Sequence, residues 1–185
     1  MKYKLTDETK EFFGRTLHRI VCVTAFANVA AGELGGWIES EKNLDQSGNA
    51  WVYGNAWVYG YAEVSGNARV SGYAEVYGNA KVYDNAKVSD NAKVSGNARV
   101  CDNVWVSGDA RVEKTSDYIV LKNNWSSGRY FTYTLSNKKW RVGCFYGTGD
   151  ELIKNAYADS ELSGKCYEAA VRYVEALEKI QSEVK

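Results

Sequence analysis

Between Gly48 and Glu113 the chain repeats itself every six residues, and that period decides most of what it can fold into. Eleven hexads follow one another without an insertion, beginning Gly48-Asn49-Ala50-Trp51-Val52-Tyr53. Each reads Gly or Asp, then Asn, Tyr or Asp, then Ala, then a variable residue, then Val, then usually Tyr or Ser. Val fills the fifth place in all eleven, and Ala fills the third in all but the one that carries Val104.

This is not a helical period. Apolar residues spaced two and four apart make no continuous stripe on a 3.6-residue turn. Ala and Val sit two apart, so on a short strand they point to the same side. The Gly/Asp-Asn pair then breaks the strand, because these residues tolerate the left-handed backbone of a sharp corner. One hexad is one short strand plus one corner. Three hexads make an eighteen-residue triangular coil, and coils stack ~4.8 Å apart as parallel strands.

The run resembles the hexapeptide repeat of left-handed parallel β-helix proteins: aliphatic, any, Gly/Asp, Asn, small, any. In that register it opens Val52-Tyr53-Gly54-Asn55-Ala56-Trp57. The resemblance implies a mainly β fold, left-handed winding against the usual crossover rule, and a homotrimer around an axis parallel to the stack. The sequence predicts three parts: an N-terminal β cap (1–31), the helix (32–113) and a small C-terminal α+β domain (114–185). Gly32–Ser40 is expected to begin a degenerate first coil, with Ile38 and Leu44 in the small inward place and Leu34 in the Val place.

Residues eighteen apart should stack. The variable places form three outward columns: Trp51, Arg69, Lys87 and Trp105; Trp57, Glu75, Lys93 and Arg111; Glu63, Lys81 and Arg99. Glu63 over Lys81 and Glu75 over Lys93 are opposite-sign ladder pairs, worth roughly 0.2–1 kcal/mol each. Tyr59 should stack on Tyr77. The columns are read as solvated or subunit-facing, and outward Trp at this density calls for a covering partner. The column Asn49, Asn67, Asn85 and Asn103 is read as corner geometry with a side-chain ladder.

The cap is expected as two strands around a turn at Phe13-Gly14. After Glu113 the hexad stops. Tyr118–Leu121, Arg129–Leu135 and Trp140–Phe145 are predicted as three strands, followed by two helices. The first lies near Glu151–Ala158, capped by Thr148 or Asp150. The second runs from about Ser163 to Glu183, with Cys166, Ala169, Ala170, Tyr173, Leu177, Ile180 and Val184 as its core stripe. Gly147, Thr148 and Gly149 join a strand to a helix, so they are either an anion loop or an ordinary tight turn. The Gly-Lys-Ser/Thr ending of a P-loop is missing.

Lys+Arg and Asp+Glu balance at 23 each, which removes any bulk attraction to nucleic acid or anionic membrane. No apolar run approaches the ~18 residues of a membrane span. Cys22, Cys101, Cys144 and Cys166 lack the spacing of a zinc or redox motif, so a cytoplasmic protein without metal or cofactor is expected.

Most well-known proteins with this helix are acyltransferases, which use a histidine as general base. The one histidine is His18, placed in the cap. The array also lacks the long loop that many of those enzymes insert. The γ-type carbonic anhydrases need three histidines per zinc, and ice-binding versions need rows of Thr, which the hexads do not contain. These absences point to a non-enzyme.

The whole arrangement is more specific than the repeat. Thr16–Ile20, then Gly32–Ser40, then the hexads, then Gly143-Cys144-Phe145-Tyr146-Gly147-Thr148 resembles a family of small phage and prophage proteins. Such proteins include sponges that sequester nucleotide signals of bacterial immunity, holding them with aromatic faces and Arg/Lys. The candidate contacts are Arg69, Lys87, Trp105, Lys93, Arg111, Tyr59 and Tyr77, for a small phosphorylated ligand. The alternatives are a structural or adaptor trimer that binds a host protein, and an acyltransferase.

Overall fold

The computed structural model describes residues 1–184 and divides into two compact units, Met1–Asp117 and the segment from Tyr118 onward. Each hexad is one two-residue strand: β4 (Trp51–Val52), β5 (Trp57–Val58), β6 (Glu63–Val64), β7 (Arg69–Val70), β8 (Glu75–Val76), β9 (Lys81–Val82), β10 (Lys87–Val88), β11 (Lys93–Val94), β12 (Arg99–Val100), β13 (Trp105–Val106) and β14 (Arg111–Val112). Strands three apart pair in parallel, so the faces are β4-β7-β10-β13 (face one), β5-β8-β11-β14 (face two) and β6-β9-β12 (face three). The array is a parallel β-solenoid. Its backbone polar groups are satisfied from coil to coil, as where Trp51 N donates to Ala68 O at 3.0 Å and Tyr53 N to Val70 O at 2.7 Å.

The third-place Ala and fifth-place Val residues fill the interior, nearly all at 0% exposure. Each Val contributes roughly 1.5–3 kcal/mol by burial. The corners turn at the first place of the hexad. Eight glycines there have φ between 57° and 70°, and Asp84, Asp90 and Asp102 take φ of 57°, 62° and 57°. At Gly72 the next coil is so close that a Cβ would lie 2.9 Å from Asp90 N. The second-place Asn residues form side-chain ladders, Asn49 to Asn67 at 3.0 Å, Asn67 to Asn85 at 3.1 Å and Asn79 to Asn97 at 3.3 Å.

The degenerate first coil exists, in a different register from the one expected. The strand β3 (Leu34–Ile38) pairs with β5 so that Ile38 lies beside Val58, and Leu44 bridges to Val64. Both therefore occupy Val places, twenty residues from their partners. Leu44 and Val52 are eight residues apart where the repeat has six, so two extra residues between them shift the frame. Leu34 is exposed and pairs with Val21 instead.

The strands β1 (Tyr3–Phe12) and β2 (Arg15–Cys22) form an antiparallel hairpin that adds to β3 and extends face two. The hairpin closes the open end of the stack. Lys2 Nζ donates to Ala50 O at 3.0 Å, and the Tyr3 hydroxyl donates to Leu44 O at 2.6 Å.

The second unit opens with an antiparallel sheet in chain order, β15 (Tyr118–Lys122), β16 (Tyr130–Thr134), β17 (Lys139–Val142) and β18 (Phe145–Gly147). The single third strand expected over Trp140–Phe145 is thus two strands. Gly143, at φ 58°, turns the chain back so that Val142 pairs with Phe145. Two helices follow, α1 (Gly149–Asp159) and α2 (Glu161–Glu183), capped by Thr148 and Ser160. Their core holds Phe131, Tyr133, Trp140, Leu152, Ala156, Tyr167, Val171 and Val174.

The core stripe expected on α2 is corrected. The buried face is Gly164, Tyr167, Val171 and Val174. Tyr173, Ile180 and Val184 are 54%, 56% and 84% exposed, and Ala169 is exposed as well. Gly164 decides the choice: its missing side chain lets Tyr157 of α1 pack where a Cβ would sit 2.2 Å from the ring.

Candidate functional site

The parallel pairing places the outward side chains in columns. On face one Trp51, Arg69, Lys87 and Trp105 are successive register partners. On face two Trp57, Glu75, Lys93 and Arg111 are partners, and on face three Glu63, Lys81 and Arg99.

The columns differ in how they are neutralised. On face two Lys93 Nζ meets the Glu75 carboxylate at 2.7 Å, and on face three Lys81 Nζ meets Glu63 at 2.9 Å. The column of face one contains no carboxylate. Arg69 and Lys87, both exposed, are stacked as adjacent register partners, an arrangement that like charges destabilise. Lys87 Nζ lies 4.8 Å from the centroid of the Trp105 ring, a cation–π contact. Trp105 Nε1 donates to Ser89 Oγ at 2.9 Å, which holds the indole in place, and Arg69 donates to Asn28 Oδ1 at 3.3 Å. The strip is open, positively charged and bounded by an indole.

The tyrosine pair is present, with Tyr59 and Tyr77 stacked at 5.2 Å and 2° between planes. The Tyr59 hydroxyl donates to Glu75 at 3.2 Å. Burial and then the Glu75 charge push its pKa well above the usual tyrosine range. Glu75 thus serves both Tyr59 and Lys93, and this group is internally satisfied. The candidates therefore fall into two sets on two faces: Arg69, Lys87 and Trp105 on one, Lys93, Arg111, Tyr59 and Tyr77 on the other.

Two of the outward tryptophans, Trp51 and Trp57, meet rings of the N-terminal segment. Trp51 is fully buried, with the rings of Tyr3 and Phe26 edge-on at 6.1 Å and 5.6 Å. Trp57 meets Phe12 at 4.8 Å, and Lys10 Nζ lies 4.1 Å from the centroid of Trp37. For Trp51 and Trp57 the N-terminal segment supplies the cover, whereas Trp105 is met by Lys87 and Ser89 of the array itself.

The turn at Gly147, Thr148 and Gly149 closes on itself. Thr148 N donates to Glu151 Oε2 at 2.7 Å, and Glu151 N donates to Thr148 Oγ1 at 3.3 Å. The Thr148 N–H and then its hydroxyl, which donates to Glu151 Oε2 at 3.0 Å, hold the Glu151 carboxyl below its ordinary pKa. The chain's own carboxylate sits where an anion would go, with Asp150 beside it, so the geometry is that of a helix cap.

Two cavities escaped the sequence reading. One of about 250 Å³ lies on face two among Lys10, Asn55, Trp57, Tyr73 and Glu75. Lys10 of β1 forms one side of it, and nothing in the hexads announces β1. The other, of about 290 Å³, is in the second unit, with Asn123, Arg129, Cys144, Asn155 and Asp159 in its wall. Among the described residues, no group of three or more His, Cys, Asp or Glu is placed to hold a metal ion, and no helix is long and apolar enough to cross a membrane. His18 lies in β2, paired with Thr9 and Ile38, away from the face-one column.

Residues 92–108 match the model of the YdcK β-solenoid repeat. The central array is a hexapeptide-repeat β-solenoid. A relative in Escherichia coli (strain K12), the "uncharacterized acetyltransferase YdcK", is 37% identical over 60 residues. The match covers 28% of this chain and 18% of that protein, so the chain spans less than a fifth of the relative's length.

Proposed function

We propose that the protein is a non-catalytic binding scaffold that captures a small phosphorylated, nucleotide-like ligand on face one of the solenoid. The observation that carries this reading is the Arg69–Lys87–Trp105 column. Two stacked cations without a carboxylate in their column repel each other, and a bound phosphate relieves that repulsion while making charge-assisted hydrogen bonds. The Trp105 indole, now covered by the Lys87 ammonium, offers a flat surface for a base. Sequestration fits this arrangement better than turnover does, because the column contains no histidine or carboxylate to act as a general base.

The test is a native mass spectrum of the protein purified from bacterial cells, repeated with cyclic mononucleotides, cyclic dinucleotides and ADP-ribose. The expected result is a stoichiometric added mass of a few hundred daltons, lost in Arg69→Ala/Lys87→Ala. A bare protein, unchanged across the panel, overturns the reading.

A second reading, acyl transfer, draws on the printed name of the Escherichia coli relative. It predicts coenzyme A release from acetyl-coenzyme A with an amine or hydroxyl acceptor, abolished by His18→Ala. The place of His18 in β2, paired with Ile38 on the sheet that continues face two rather than face one, argues against it.

A further inference from the structure

The helix α2 has two apolar faces. Gly164, Tyr167, Val171 and Val174 face the core of the second unit. On the opposite side Leu162, Cys166, Ala169, Tyr173, Ala176 and Ile180 recur at alternating spacings of four and three. This is the heptad spacing of a coiled-coil seam, with Cys166, Tyr173 and Ile180 in one set of layers and Leu162, Ala169 and Ala176 in the other. Leu162, Tyr173 and Ile180 are each more than half exposed. At 1.5 Å per residue the seam runs about 27 Å along the helix.

The residues beside the seam say what covers it. One flank is the row Lys165, Arg172 and Lys179, and the other is Ser163, Ala170, Leu177 and Val184, with no charge at all. When two such helices run parallel, each basic row meets the partner's uncharged row, and the aliphatic stems of Lys and Arg lie along Ala170 and Leu177. An antiparallel arrangement sets basic row against basic row and is repelled. Lys165 and Arg172 each also reach a carboxylate of their own helix, Glu161 at 2.7 Å and Glu175 at 2.8 Å, but these pairs are solvent-exposed and offset the charge of the row only in part. In parallel register each layer meets its own copy, Tyr173 on Tyr173 and Ile180 on Ile180, and the Ala169 and Ala176 layers between them let the two backbones approach. The face is complementary to itself.

We infer that the outer face of α2 is a self-association surface, on which a second copy of this chain docks its own α2 in parallel and in register. The surface is distinct from the solenoid columns, and the inference does not depend on the ligand proposed there.

Two measurements on the full chain test it. Diamide oxidation followed by peptide mass spectrometry should give a symmetric Cys166–Cys166 link, since a parallel seam places these thiols in the same layer. Sedimentation equilibrium should show a mass that rises with concentration. Tyr173→Glu/Ile180→Glu should abolish the link and weaken association by about tenfold or more, with the far-UV spectrum unchanged. Ala169→Lys, at an exposed position, should do the same and guards against a folding defect in the double variant. A single-chain mass at all concentrations overturns the inference. So does self-association without the Cys166–Cys166 link, or with the link intact in folded variants. Capture of a different protein on this face, with no self-association, overturns it as well.

Discussion

Val82 stands in the middle of the stack at 0% exposure, paired with Val64 on one side and Val100 on the other. Val82→Asp should cost about 4 kcal/mol or more by placing a carboxylate in a dry interior, and the solenoid should unfold. An unchanged far-UV spectrum and Tm would contradict the register. The corners admit a finer comparison. Gly72 and Gly54 both have positive φ, but only Gly72 faces the next coil closely; a Cβ at Gly54 meets nothing within 4 Å. Gly54→Ala should cost the left-handed penalty alone, about 1–2 kcal/mol, and Gly72→Ala measurably more, as read by paired urea melts. Equal losses would contradict the proposed coil spacing. Inward Val, inward Ala and corner Gly were all legible, because each obeys a rule that operates within one hexad. The burial of Trp51 was not, because its covering rings, Tyr3 and Phe26, come from outside the repeat.

At the scale of elements, α1 shows what a short motif determines. The sequence offered Thr148 or Asp150 as the cap, and the structure takes Thr148, which forms a capping box with Glu151. The Glu151 carboxyl is held below its ordinary pKa by the Thr148 backbone N–H and then by the Thr148 hydroxyl. A lowered carboxylate pKa gives stability that is present above the unfolded value and is lost as pH falls through the folded one. The Tm gap between the wild type and Glu151→Ala should therefore be open at neutral pH and close as the pH is lowered through the carboxylate range. A gap independent of pH would contradict the charged cap. In α2 the sequence carries two interleaved apolar patterns, and periodicity alone does not rank them. The ranking comes from Gly164 against Tyr157, a contact between helices that no single-helix pattern contains. Val171→Ala should cost about 2 kcal/mol, whereas Tyr173→Ala should change stability by no more than about 0.5 kcal/mol. Chemical denaturation distinguishes them, and the reverse order would restore the stripe first expected. The two-residue shift before Trp51 was illegible for a similar reason: the degenerate coil has no Gly-Asn corner to mark its frame.

At the scale of the whole molecule, two units with separate cores imply separate folding. The second unit buries its own cluster of Phe131, Tyr133, Trp140, Tyr167 and Val171, so a fragment of residues 118–185 should melt cooperatively with helical circular dichroism. A featureless, non-cooperative melt would contradict that. Function was less legible than fold, because the repeat specifies where outward side chains stand and leaves their identity free. The columns could be written from the hexads. Which column stays charged depends on whether a carboxylate shares it, and that singles out Arg69, Lys87 and Trp105. The measurement that tests this claim most directly is a proton–nitrogen correlation spectrum of the tryptophan indoles, with Trp105 assigned through Trp105→Phe, during titration with the nucleotide panel. The proposed function predicts that the Trp105 Nε1–H signal moves while those of the covered Trp37 and Trp51 stay, and that Lys87→Ala abolishes the shift. A Trp105 signal unmoved by every member of the panel would contradict it.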